Sequence, residues 1–249
     1  QEKLLQGYCQ AYYQLANQLY NLDRTNPHAA RAVVQCELPN LLRAVHLALQ
    51  SGRNEEGVDF ADSVNRFLRV FGLRRDAEAL TEAAGKAGGT VGSQAWYLAQ
   101  SNLGEQLRQN GQPGAAAQVF ANILAGLEET PSYNRCLTLT MLGRCSKAQG
   151  QLASAEQLYR QELDELAQLE LNEQIRRQIG ITHGELADVL CNQKRYNEAK
   201  TAYQVALEIM KDLDDMRSVA VVTGQLGTVA YLQDELAAME LDKAGGNLP

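Results

Sequence analysis

The sequence predicts an all-α fold, an α-solenoid built from antiparallel helix hairpins. Three observations predict it. Apolar residues recur at intervals of three and four along nearly the whole chain, the spacing of one helical face, and no alternating run of strand type stands out. A small residue followed four positions later by an aromatic one returns about every 40 residues, a period typical of stacked repeats. These pairs are Ala77 with Thr81 in the aromatic place, Ala116 with Phe120, Ala155 with Tyr159, and Ala199 with Tyr203. Glycines mark bends at Gly72, Gly111 and Gly150, and Lys194 stands in the fourth such place. A two-helix hairpin cannot bury both its faces alone, so in-phase copies are expected to stack.

The first element is an amphipathic helix over 2–22, with Leu4, Leu5, Tyr8, Tyr12, Leu15 and Leu19 on one face. Asn26-Pro27 breaks it. A second helix starts near Ala29 and runs to a stop at Gly52. Its Pro39 either opens a first turn or kinks a longer helix. Helices over 54–71 and 74–87 follow, divided at Gly72 and closed at Gly88-Gly89. The Gly-rich stretch 85–93 is a linker. A phosphate loop would follow a strand and place its lysine after the glycines, whereas Lys86 precedes them. Ser93 is a candidate N-cap for a helix over 93–110 that carries Trp96.

Pro113 opens the next helix, 113–127, and Pro131-Ser132 precedes one over 133–149. Gly150 turns the chain into a long helix over 152–170. A hairpin over 174–213 comes next, with Thr182, Leu186 and Ala187 inward on one arm and Tyr196, Ala199 and Tyr203 on the other. A last first-helix is expected over 217–233, after which Glu235 begins a second helix that fades into the terminal glycines. The organisation is an N-terminal helical segment, 1–90, leading into about three and a half hairpins over 91–249. The opening in mid-pattern at Gln1 suggests a piece of a larger protein, cut within the array at the C-terminal side.

Composition narrows the function. The net charge is −7 and the isoelectric point about 5.1, which argues against direct nucleic-acid binding by the surface at large. The five cysteines form no C-x-x-C pair and the three histidines are scattered, so free thiols in a reducing cytoplasm are expected, with no metal and no cofactor. Cys136 and Cys145 read as small core hydrophobes, and His183 and His46 as packing residues. There is no signal peptide and no apolar run long enough for a membrane span. No H-E-x-x-H, G-x-S-x-G or P-loop pattern occurs, and an enzyme is not expected.

The first helix of each hairpin also repeats a pair: Leu103-Gly104, Leu142-Gly143, Leu186-Ala187 and Leu226-Gly227. With the bend glycines and the Ala–Tyr/Phe pairs, this resembles the tetratricopeptide repeat (TPR), in an elongated variant. The resemblance implies a right-handed superhelix whose first helices line a concave groove that holds a protein, a peptide or a small ligand. Counting groove positions from the Leu-Gly pair gives Arg66 and Arg69, with Asn65 in the Gly place. It gives Glu105, Arg108 and Gln109 in the next repeat, then Arg144 and Lys147, then Asp188, Cys191 and Asn192, and last Thr228 and Tyr231. Two readings are open. Arg66, Arg69, Arg108, Arg144 and Lys147 form a cationic stripe for small anions or acidic peptides, or Glu105 and other acids neutralise them.

A second resemblance covers roughly residues 2–90. The phrase Glu37-Leu38-Pro39-Asn40-Leu41-Leu42-Arg43-Ala44, followed by an Ala-Leu-x-x-Gly stretch ending at Gly52, is similar to the segment that opens the C-terminal sensor region of bacterial STAND proteins, signalling ATPases related to the NB-ARC switches. It implies a ligand-sensing arm whose partners include N-terminal switch modules of the parent chain. The alternative is a constitutive scaffold or adaptor.

Overall fold

The computed structural model describes residues 2–51 and 54–245, excepting the side chains of residues 2, 54 and 235–245. Gly52, the expected stop of the second helix, and the last four residues lie outside this range. Among the described residues there are eleven α-helices and no strands. They are α1 (Glu2–Thr25), α2 (Pro27–Gln50), α3 (Asn54–Val70), α4 (Arg74–Ala87), α5 (Gln94–Gln109) and α6 (Pro113–Gly126). Then come α7 (Tyr133–Ala148), α8 (Leu152–Leu166), α9 (Glu173–Asn192), α10 (Tyr196–Asp212) and α11 (Met216–Gly245). The chain forms two compact units, residues 1–127 and 128–249.

One bend recurs within each unit. At Gly72, Gly111 and Gly150 the backbone φ is 70–75°, the left-handed region where glycine carries no Cβ penalty. The N–H of each glycine donates to the carbonyl three residues back, and the next N–H to the one five back, as in Gly150→Lys147 and Gln151→Ser146. These are the two hydrogen bonds of a Schellman end. Lys194 (φ 63°) and Asp214 (φ 51°) make the same pair of bonds with side chains present. The opposite ends of the helices are capped by side chains. Ser93, Ser132 and Asn172 accept from Trp96, Arg135 and Ile175 N–H, and Asp215 accepts from Ser218. Left-handed bends close the first helices α3, α5, α7 and α9, and at Asp214 also the second helix α10, while side-chain caps open α5, α7, α9 and α11, so the sequence sets these helix ends locally.

In the first unit, α1 packs on α2, α3 lies against both, and α5 joins α3 and α4. Phe60, Phe67, Leu68, Leu41, Val45 and Leu80 are fully buried there. Pro39 sits inside a continuous α2, so the helix runs through it. In the second unit, α7 pairs with α8 and α9 with α10, while α9 also packs on α7 and α8. The recurrent residues make the tightest contacts. A Cβ on Gly143 would lie 2.5 Å from the Tyr159 ring, and one on Gly104 2.7 Å from the Phe120 ring. In the first hairpin Asn65, fully buried, donates to Thr81 at 3.2 Å. A polar side chain there fills the space that glycine leaves in the other hairpins, and the small Thr81 replaces the ring.

Two expectations are corrected. The helix expected over 152–170 ends at Leu166, where the Ala167 N–H closes on the Leu163 carbonyl. No break occurs near Glu235. α11 runs on as one helix to Gly245, because Gln233 to Lys243 contains neither glycine nor proline. Cys136 and Cys145 are fully buried, and Trp96 lies over the end of α6, 2.6 Å from where a Gly126 Cβ would stand.

Candidate partner-binding surface

The expected groove residues fall on first helices of both units. In the first unit, α3 carries Arg66 and Arg69. Arg66 donates to Asp23 at 3.3 Å and lies 4.7 Å over the Tyr20 ring, while Arg31 holds the same carboxylate at 2.8 Å. Arg69 donates to the side chain of Asn102 at 2.8 Å, and Asn102 in turn donates to Asp62. On α5, Glu105 receives both Arg108 and Gln109. Burial would raise the Glu105 carboxyl, but Arg108 more than offsets it, and the group stays below its ordinary range.

In the second unit, the hub is Glu185, which the groove count did not include. Arg144 donates to its Oε1 at 2.8 Å and Lys147 to its Oε2 at 2.7 Å. Lys147 also reaches Asp188 at 3.0 Å, and the Tyr203 hydroxyl donates to the other oxygen of Asp188. Tyr159 adds a bond to Glu185 at 3.3 Å. Burial opposes the charge on both Glu185 and Lys147, yet each holds the other ionised, the acid shifted down and the amine up. Glu185 sits three residues before Asp188, hence on the same helical face, and that spacing could have found it. Asn192 and Gln109 are exposed at the ends of their helices, and Cys191 is half-buried. Thr228 and Tyr231 are exposed on α11.

Of the two readings left open, the ion pairs fit the one in which acids neutralise these cations. Arg66, Arg108, Arg144 and Lys147 each touch a carboxylate, and Arg69 is bound to an amide between Asp62 and Glu105. The partner acids Asp23 and Asp62 come from α1 and α3 positions outside the repeat count.

A second polar group lies deeper. Glu162 of α8 is fully buried. Its Oε1 accepts from Thr140, Gln178 and Thr182 at 2.7–2.8 Å, tying α7 and α9 to α8. Among the described residues no group donates to its Oε2. Burial pushes its pKa up to about 7, against the pull of those three donors. Nearby, Arg135 and Glu165 form a two-bond ion pair at 3.1 Å, each about 10% exposed. Among the described residues no three metal-ligating side chains converge, and no helix is long and apolar enough to cross a membrane. The first-helix faces carry fixed charges of both signs.

No protein-family model matches the chain, and no curated protein sequence matches it. Solved structures do resemble it. A Podosopora anserina chain described as a kinesin light chain with nearly identical TPR-like repeats has a TM-score of 0.61 at 18% identity, covering 83% of this chain and 96% of that one. The pilF structure of Pseudomonas aeruginosa has a TM-score of 0.56 at 16% identity, covering 93% and 99%. BtubC (BKLC) from P. vanneervenii has a TM-score of 0.54 at 14% identity, covering 98% and 93%. At such identities the likeness speaks for architecture alone: the chain has a TPR-like helical-repeat fold.

Proposed function

We propose that this chain is a protein-interaction module, a scaffold or adaptor that receives a polypeptide partner on the first-helix face of its repeats. The observation that carries this reading is the Arg144–Glu185–Lys147–Asp188 array. These half-buried charges span two first helices, and Asp188 remains 37% exposed. Groups fixed in this way can discriminate a partner without rearranging. Arg66, Arg69, Glu105 and Arg108 in the first unit, and Arg144, Lys147, Asp188 and Asn192 in the second, are the positions where a partner would be read. The TPR-like fold supports the same reading.

The test is affinity capture with the intact chain, compared across variants. Asp188→Ala with Asn192→Ala is expected to lose partners that Lys200→Ala with Lys211→Ala, on α10, retains. Equal capture by all variants removes this face from consideration.

A finer reading is a sensor arm of a STAND-type ATPase, supported by the phrase Glu37–Ala44. Within the fold that phrase also has a packing role. Glu37 accepts from Tyr12 and Asn40, both at 2.9 Å, and Leu41 and Ala44 are buried. A phosphate-binding loop and winged helix encoded upstream in the same reading frame would favour the sensor. Their absence from the gene would leave the scaffold.

A further inference from the structure

The second unit carries a cleft that the ion array does not fill. It lies between α9 and α11, with α10 behind, and has a volume of about 250 Å³. Small-molecule pockets usually hold roughly 300–1,000 Å³, so this cleft suits one side chain of a larger partner. Its walls are mixed, with the acids Glu185 and Asp188 on α9 and Arg217 and Ser218 on α11 beside an apolar part. Ile181 comes from α9, while Val222 and the 59% exposed Val221 come from α11. Gln225, exposed on α11, offers a donor and an acceptor at the rim.

Gly184 opens a notch in the α9 wall. Mid-helix glycine costs about 1 kcal/mol against alanine; packing accounts for it at Gly104, Gly143 and Gly180, whereas Gly184 shares open surroundings with Gly7, Gly85, Gly224 and Gly227. Rings or methyls stand within 3 Å of a Cβ placed on Gly104, Gly143 or Gly180. Around Gly184 nothing lies within 4 Å. Of these open glycines only Gly184 lines the cleft, where the missing side chain leaves room for a ligand to approach the backbone.

Asp188 stands at the end of the same cleft. Its two oxygens each accept one donor, from Tyr203 and Lys147, and a carboxylate oxygen has two lone pairs. The surrounding unit is acidic. Residues 128–249 contain 19 acidic and 12 basic residues, a net charge of −7, against 11 and 11 in residues 1–127. The whole net charge of the protein sits in the unit that holds the cleft.

Resting on the partner-binding reading above, we propose that this cleft binds a peptide segment in which a large apolar side chain adjoins a lysine or arginine. The apolar group enters the Gly184 notch against Ile181 and Val221, and the cation joins Asp188. The field of the unit draws such a segment in and repels an acidic one.

The experiment is selection from a random phage-displayed peptide library on the intact chain, followed by fluorescence anisotropy with the selected peptides. Enrichment of an adjacent apolar–basic pair is expected. Gly184→Leu is expected to weaken binding by about tenfold or more, Asp188→Asn to weaken it less, and added salt to weaken it further. The melting temperature of Gly184→Leu is expected not to fall, because its Cβ meets open space; Gly184→Ala, which adds only that Cβ, separates a fold effect from a blocked cleft. Acidic or unpatterned winners, or winners that bind Gly184→Leu as well as the parent, overturn this proposal while leaving a partner-binding module intact. Recovery of no peptide, while protein partners are still captured through Asp188 and Asn192, also overturns it.

Discussion

Glu162 is a carboxyl whose protonation the fold constrains near neutral pH. Three donors crowd one oxygen, and the other meets no donor among the described residues. Arg144 and Cys136 of α7 and Tyr159 of its own helix are the titratable groups it senses. Its folded pKa, about 7, stands above the ordinary 4.5, so the folded state binds this proton more tightly than the unfolded chain. The contribution to stability is full below pH about 4.5 and is lost as pH rises through about 7. At roughly 1.4 kcal/mol for each tenfold in proton affinity, the loss is about 3 kcal/mol. Urea unfolding at pH values from 5 to about 8.5 is expected to show this decline. Glu162→Gln is expected to flatten it, and an equally steep decline in the variant would assign the effect to another group. Thr182 was legible as an inward residue from its spacing. Its role as a donor to Glu162 was not, because the acid lies on a helix from a different hairpin.

At the scale of the element, the same substitution has opposite signs on neighbouring first helices. Gly143→Ala drives a Cβ into the fully buried Tyr159 ring, and overpacking of this kind costs typically about 1–3 kcal/mol. Gly184→Ala meets open space and gains about 1 kcal/mol in helix propensity. Chemical denaturation of the two variants checks the pair, and a shift of the same sign in both would mean that the hairpin contact yields freely. Most helices were readable because bends and caps are local: Gly72, Gly111 and Gly150 each set one backbone angle, and Ser93 satisfies its own helix. The end of α11 was not readable in this way. Repeat spacing suggested a bend near Glu235, but no residue there stops a helix. Among site residues, the cations were legible from their distance to the Leu-Gly pair. Of their carboxylate partners, Glu105 and Asp188 were legible from the same count, whereas Asp23 and Asp62 lie on other elements or phases and Glu185 precedes the pair.

For the molecule as a whole, the division of charge matters most. Residues 1–127 are balanced and residues 128–249 carry −7. Like charge gathered in one compact unit weakens it by self-repulsion, and salt screens that repulsion. Hydrogen exchange on the intact chain is therefore expected to slow with added salt more in residues 128–249 than in 1–127. Uniform slowing would show that the excess charge is already neutralised locally, by pairs such as Arg177–Asp215 and Arg195–Glu198.

The bends at Gly150 and Lys194 close their helices with one backbone geometry, although one residue is glycine and the other lysine. The stretch from just after the first bend to the second is thus a cassette whose two ends match. A gene that copied or lost that stretch would rejoin like to like, without a new turn having to be invented. Lineages of this protein are then expected to differ in length by whole cassettes sooner than by single helices, and the join would fall beside a left-handed residue.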